Sequence, residues 1–215
     1  MVVDLSGLDM AAVREHYLLR ERTHHRLRQF LDTQDASGFV GLALGITEPA
    51  GNYSASEHAI GPKILAGSNS AEREVFDLAA AIDDCPNVNR LPTVIYEAGI
   101  ANLKISVGSE IAMMLKPDCH WVGNKRTIWS HLLVFHGMNQ QRANEALRLY
   151  YSRDDDSEMD YAVWRDLYLL VGPDLLRLGQ MATSVAQAQG IEAGQLQYMW
   201  PDAVATFLFD RFARR

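Results

Sequence analysis

Residues 92–115 read PTVIYEAGIANLKISVGSEIAMML, and this stretch decides the fold class. Turned by 100° per residue, its apolar side chains fall on nearly every side, as they do in a helix enclosed by other helices. Pro92 suits a first helical turn and Pro117 a stop just beyond the last. The reading is a central buried helix over 94–115, with Ala101 and Ile105 in the core. Gly99 and Gly108 allow close approach of neighbouring helices, at some cost in helix propensity. Glu97, Lys104 and Glu110 make the stretch a poor membrane span, and no run of eighteen apolar residues occurs elsewhere.

Working outward, amphipathic helices surround this element. Asp9 caps a helix to about Leu31, whose apolar stripe holds Met10, Val13, Tyr17, Leu27 and Leu31. Arg20 and His24 fall inside that stripe, which is unusual for a cation. Gly38 to Ile46 is apolar without alternation and fits either a buried strand or a glycine-rich helical turn. Residues 48–69 are rich in Gly, Pro, Ser and Asn and read as loop with short turns. Ser70 opens a helix to about Asp84, with Glu72 and Glu74 complementing its dipole. Further helices are expected from Asn124 or Thr127 to about His136, and over 139–151 and 158–171, the last stopped by Gly172-Pro173. One from Pro173 or Asp174 to Gln189 follows, and one from about Pro201 onward. The expectation is an all-α single domain over 1–215, with about seven or eight helices and at most one or two short strands.

Composition narrows the function classes. The net charge of −7, with only four lysines, gives no basic stripe with which to displace counterions, so no nucleic-acid partner is expected. Arg14, Arg20, Arg22, Arg26 and Arg28 are interrupted by Glu15 and Glu21 and read as mainly solvated. Two distant cysteines, Cys85 and Cys119, form neither a disulfide framework nor a metal-binding pair, which fits a reducing cytoplasm. Met1 to Met10 lacks lysine, arginine and a long apolar run, so no secretory signal or membrane partner is expected. Phosphate loops, dinucleotide fingerprints, zinc helices and nucleophile elbows are absent from the sequence. The run Asp154-Asp-Asp-Ser157 lacks the glycine and distal glutamate of a calcium loop and reads as an acidic helix start.

Three constellations remain. Residues 117–131, PDCHWVGNKRTIWSH, gather two histidines, two tryptophans and two cations around a helix start. Arg126 can grip a carboxylate or phosphate in a bidentate fork near free N–H groups, with Asn124, Trp129 and His120 as further binding residues. His131 would be the acid or base. The structural alternative has Asn124 or Thr127 as a cap, Trp129 in the core and the cations in water. Glu21-x-x-His24 puts a carboxylate and an imidazole on one helix face, and with Glu110 and His131 it could hold iron or manganese for oxidoreductase chemistry. Its structural alternative is a polar network in which Arg20, Glu21 and His24 satisfy one another. Tyr198-Met-Trp-Pro-Asp202 would either pack on the core or dock a second copy in a homodimer. The leading expectation is an internal polar pocket for a small anionic ligand. A metal-dependent oxidoreductase and a noncatalytic protein-interaction module are the alternatives. The sequence names no cofactor.

Overall fold

A computed structural model describes residues 2–85, 87–150 and 158–213. Eleven α-helices account for most of them: α1 (Met10–Asp32), α2 (Ala36–Ala43), α3 (Tyr53–Ser56), α4 (Ile60–Leu65), α5 (Ala71–Asp84), α6 (Leu91–Glu97), α7 (Ile105–Leu115), α8 (Lys125–Phe135), α9 (Gln140–Tyr150), α10 (Glu158–Ala188) and α11 (Met199–Leu208). A short π-helical turn, Phe209–Ala213, continues from α11. The extended structure among the described residues is a single bridge between Val2 and Asn139. The fold is all-α, as expected. Of Gly38 to Ile46, the part up to Ala43 resolves as helix and the rest as a turn through Gly45, with Asp35 capping α2 through the Gly38 N–H. The acidic run 154–157 lies outside the described residues.

The central element differs from the expectation in one respect. Its apolar run is two helices, α6 and α7, joined by a loop in which Gly99 and Asn102 take left-handed φ values of 62° and 64°. A glycine with positive φ just past a helix ends it, and an apolar pattern carries no record of that dihedral. Ala101 is therefore exposed on the loop and Ile105 is only half-buried. The core role belongs to α7, where every residue from Val107 to Leu115 is buried. Gly108 does allow the close approach anticipated for it: a Cβ there would stand 2.9 Å from the Ile95 side chain of α6.

A second boundary also moved. Helix α10 runs through Gly172 and Pro173 without a stop. Proline in a helix interior costs about 3 kcal/mol, so packing must outweigh it. Pro173 is exposed, while Val171, Leu175 and Leu178 of the same helix are buried against the rest of the core.

Helices α1, α3, α5 and α6 pack on α7; α1 also packs on α2 and α11, and α8 packs on α9, α10 and α11. The fully buried Asn52 ties α3 to this frame: its Oδ1 accepts from the Ala55 N–H, and its Nδ2 donates to the Val107 carbonyl of α7 at 3.1 Å. No helix among the described residues is long and apolar enough to cross a membrane.

Candidate functional site

Helix α1 carries an arginine where its stripe calls for an apolar side chain. Arg20 is 1% exposed and Glu110, on α7, is 2% exposed; Arg20 Nη1 lies 2.6 Å from Glu110 Oε1. The same Nη1 donates to the Ala50 carbonyl at 2.9 Å. Glu110 completes its own shell with the start of α3, accepting from the Tyr53 N–H at Oε1 and the Ser54 N–H at Oε2, both at 2.9 Å. Burial pushes the Glu110 carboxyl up. The Arg20 charge and the Ser54 and Tyr53 donors more than offset it, so the group sits below its ordinary value and stays ionised.

The two remaining nitrogens of Arg20, Nε and Nη2, are buried with no hydrogen-bond partner among the described residues. They form one edge of the guanidinium, the pair of parallel N–H groups that meets a carboxylate or phosphate side-on. The guanidinium carbon stands 5.1 Å from the Tyr53 ring centroid. One turn back on α1, the His16 ring stacks on Tyr53 at 5.3 Å and meets Phe207 of α11 edge-on at 6.0 Å. His16 Nε2 is also buried without a partner.

Two further charged groups, Asp202 and Arg126, act on this place. Asp202, in the first turn of α11, is half-buried and feels the charges of Arg20, Glu110 and Arg126. Burial raises its carboxyl to about 6, even with the two arginines pulling the other way. Burial lowers His16 to about 4, helped by the Arg20 charge. Arg126, on α8, is ion-paired to Glu57 just past α3; burial works against its charge, but the Glu57 bond keeps it above the usual arginine value. The cluster therefore draws on α1, α3, α7, α8 and α11. The half-buried His16, Tyr53, Arg126, Asp202 and Phe207 stand around the sealed Arg20–Glu110 pair.

Of the residues expected to bind an anion, Arg126 alone stands in this cluster. Asn124 caps α8, accepting from the Thr127 N–H and hydroxyl. Trp129 is fully buried, with its Nε1 donating to Asn144 Oδ1 of α9 at 2.7 Å and its ring against Phe209. His131 faces α10, its Nδ1 2.7 Å from Asp174 Oδ2. Burial lowers its pKa although Asp174 opposes the shift. His120 is fully buried beside Tyr168, with neither ring nitrogen bonded among the described residues. These four side chains point to different neighbours, and the structure does not gather them into one pocket.

The expected metal set is dispersed as well. Glu21 accepts from the Tyr17 hydroxyl at 2.6 Å, and His24 Nδ1 lies 2.6 Å from the Met114 carbonyl. Both Glu110 oxygens are occupied as described. Among the described residues no three His, Cys, Asp or Glu side chains form a group that could hold a metal ion. The network of Arg20 with Glu21 and His24 is not formed either, since Arg20 turns instead to Glu110.

Sequence reasoning missed His16, Tyr53 and Asp202 as members of the site. A signal for its centre was present: an arginine in the apolar stripe of one helix and a glutamate on a helix apolar all round are opposite charges that both require a buried partner. A groove of about 390 Å³ between α10 and residues 194–201, lined by Gly179, Thr183, Gln195 and Trp200, carries no ionisable side chain and shares no lining residue with the charged cluster. No family model matches the chain, and no curated protein and no solved structure matches it.

Proposed function

We propose that the protein binds a small anionic ligand, a carboxylate or phosphate, at the Arg20 edge. The observation that carries this reading is the pair of buried, unpartnered N–H groups at Nε and Nη2 of Arg20. Buried donors of a charged group are costly to leave unsatisfied, and an oxyanion satisfies both at once. Glu110 and the Ala50 carbonyl fix Nη1, so the guanidinium plane is set before any ligand arrives. Arg126, paired to Glu57, is a second cation whose charge acts on His16 and Asp202 along with that of Arg20.

The test is thermal stability of the purified protein in inorganic phosphate and in acetate, against chloride at matched ionic strength. A bound anion stabilises by mass action, so the wild type should gain melting temperature with either salt. Arg20→Lys keeps a charge for Glu110 but lacks the planar edge, and should lose the gain. A wild type indifferent to both anions up to ~50 mM, well above a millimolar affinity, overturns the reading.

A further inference from the structure

Helix α10 is apolar on two sides. Tyr168, Val171, Leu175 and Leu178 are buried in the core. On the opposite side Val163, Leu169 and Leu170 are exposed, the last two by 56% and 63%, and Pro173 is exposed beside them. Single exposed leucines are ordinary on a protein surface, but apolar side chains gathered on one outer stripe of one helix mark a contact surface. The stripe runs Val163, Asp166, Leu170, Pro173, Arg177, Gln180, all exposed, at steps of three, four, three, four and three residues. Those steps keep side chains in line along one helix face. They also read the same from either end. A second α10 laid antiparallel across this face therefore sets Leu170 against Pro173 and Asp166 against Arg177, each twice by symmetry. The stretch Tyr198–Asp202, expected either to pack on the core or to dock a second copy, offers no such surface, since Met199, Trp200 and Pro201 are buried.

We propose that the protein forms a two-fold symmetric dimer through this face of α10, each helix antiparallel to its copy. Charge complementarity selects a second copy of the chain as the occupant. Asp166 and Arg177 are three turns apart, roughly 16 Å along the helix at 1.5 Å per residue, too far to pair within one chain. Neither has an ion-pair partner among the described residues. In the antiparallel dimer they stand opposite each other on both sides of the Leu170–Pro173 centre. Two ion pairs then flank an apolar middle, as a polar rim flanks an interface core. A parallel copy would set Asp166 against Asp166 and Arg177 against Arg177, and that like-charge contact selects against it. From Val163 to Gln180 the contact is roughly 25 Å long at 1.5 Å per residue, one helix wide on each side, which places it at the small end of specific interfaces. The dimer is independent of the anion-binding reading, because no residue of the charged cluster lies on α10.

Sedimentation velocity of the whole protein along a concentration series tests the dimer, with native mass spectrometry to identify mixed species. The wild type should pass from monomer to dimer between roughly 1 and 100 µM, as befits a small interface. Asp166→Arg puts a second cation opposite Arg177 and should weaken the dimer by roughly tenfold or more, and Arg177→Asp should do the same with two carboxylates. Both positions are exposed, so each variant should melt like the wild type. Mixing the two variants is the decisive step. One chain then carries only cations at the two positions and the other only carboxylates, so a mixed dimer regains both pairs and should form at least as readily as the wild-type dimer. A wild type that stays monomeric at ~100 µM overturns the proposal and leaves the stripe to a different partner. A dimer that withstands both charge reversals uses another face and overturns it as well. Two monomeric variants that fail to pair when mixed overturn the antiparallel register.

Discussion

At the scale of the residue, the molecule is governed by charges placed where the core should be. Replacing Arg20 with methionine leaves Glu110 buried and unpaired, which should cost about 3–5 kcal/mol of stability in chemical denaturation. The double change of Arg20 and Glu110 to methionine should recover most of that loss, since no lone charge remains. A double variant as unstable as the single one would show that the backbone bonds of Glu110 to Tyr53 and Ser54, rather than the ion pair, anchor α3. Asp202 and His16 lend themselves to a pH test because their shifts have opposite consequences. Asp202 holds its proton more tightly in the fold than its ordinary value of 3.8 allows, so its contribution is full below that value and is lost as pH rises through about 6. His16 resists protonation in the fold, so its contribution is full above its ordinary 6.5 and is lost as pH falls through about 4. The two tilts oppose each other between those limits. Relative to wild type, Asp202→Asn should therefore make stability rise more steeply with pH across this window, and His16→Gln should make it rise less steeply or fall. Melting temperatures taken along a pH series check the pair, and equal slopes for both variants would rule it out. Much of this was legible in outline: Arg20 in an apolar stripe and Glu110 in an apolar helix are visible as anomalies. That they meet was not, because nothing in either local pattern states which helices face each other.

At the scale of the element, the two boundary shifts have one cause. Hydrophobic periodicity reports which side of a segment is buried, and it is silent about a single dihedral or about packing that outweighs a proline. The run over residues 92–115 is apolar throughout, yet Gly99 and Asn102 turn it in the left-handed region. Ala101→Asp should accordingly be tolerated within about 0.5 kcal/mol, as is usual for an exposed loop position. Ile111→Asp, at a fully buried position of α7, should cost several kcal/mol, order of magnitude, and deplete the soluble fraction. Expression and melting of the two variants side by side distinguish a broken helix from a continuous one. The segment linking α2 to α3 makes a sharper demand. At Gly51 a Cβ would lie 1.8 Å from the Leu42 carbonyl oxygen, a backbone atom with no rotamer by which to yield. Gly51→Ala should destabilise by about 2 kcal/mol or more and, because Ala50 supplies an acceptor to Arg20, should disturb the charged cluster too. A Gly51→Ala protein that melts like wild type would contradict that close approach. Glycine-rich composition marked this region as loop, but composition does not say which glycine the chain cannot replace.

At the scale of the whole molecule, the site exists because α1 and α11 lie side by side. Tyr17 meets Trp200 edge-on at 5.9 Å, and its hydroxyl accepts the N–H groups of Gln195 and Leu196 while donating to Glu21. Gln189 reaches across to the Ser6 and Leu8 carbonyls and takes the Met10 N–H. These bonds join segments near opposite ends of the described chain. Tyr17→Phe, which keeps the ring and removes three hydrogen bonds, should lower stability by about 1–3 kcal/mol and speed amide exchange at Gln195 and Leu196 ahead of the rest. Unchanged exchange there would show that the ring alone holds α1 to the segment before α11. The pairing also bears on how the protein is made. A ribosome delivers α1 well before α11, so until residues 195–208 emerge His16 and Tyr17 lack their contacts with Gln195, Leu196, Trp200 and Phe207. During that interval those aromatic rings remain in water or in the keeping of a chaperone, until α11 has been made and packs against them.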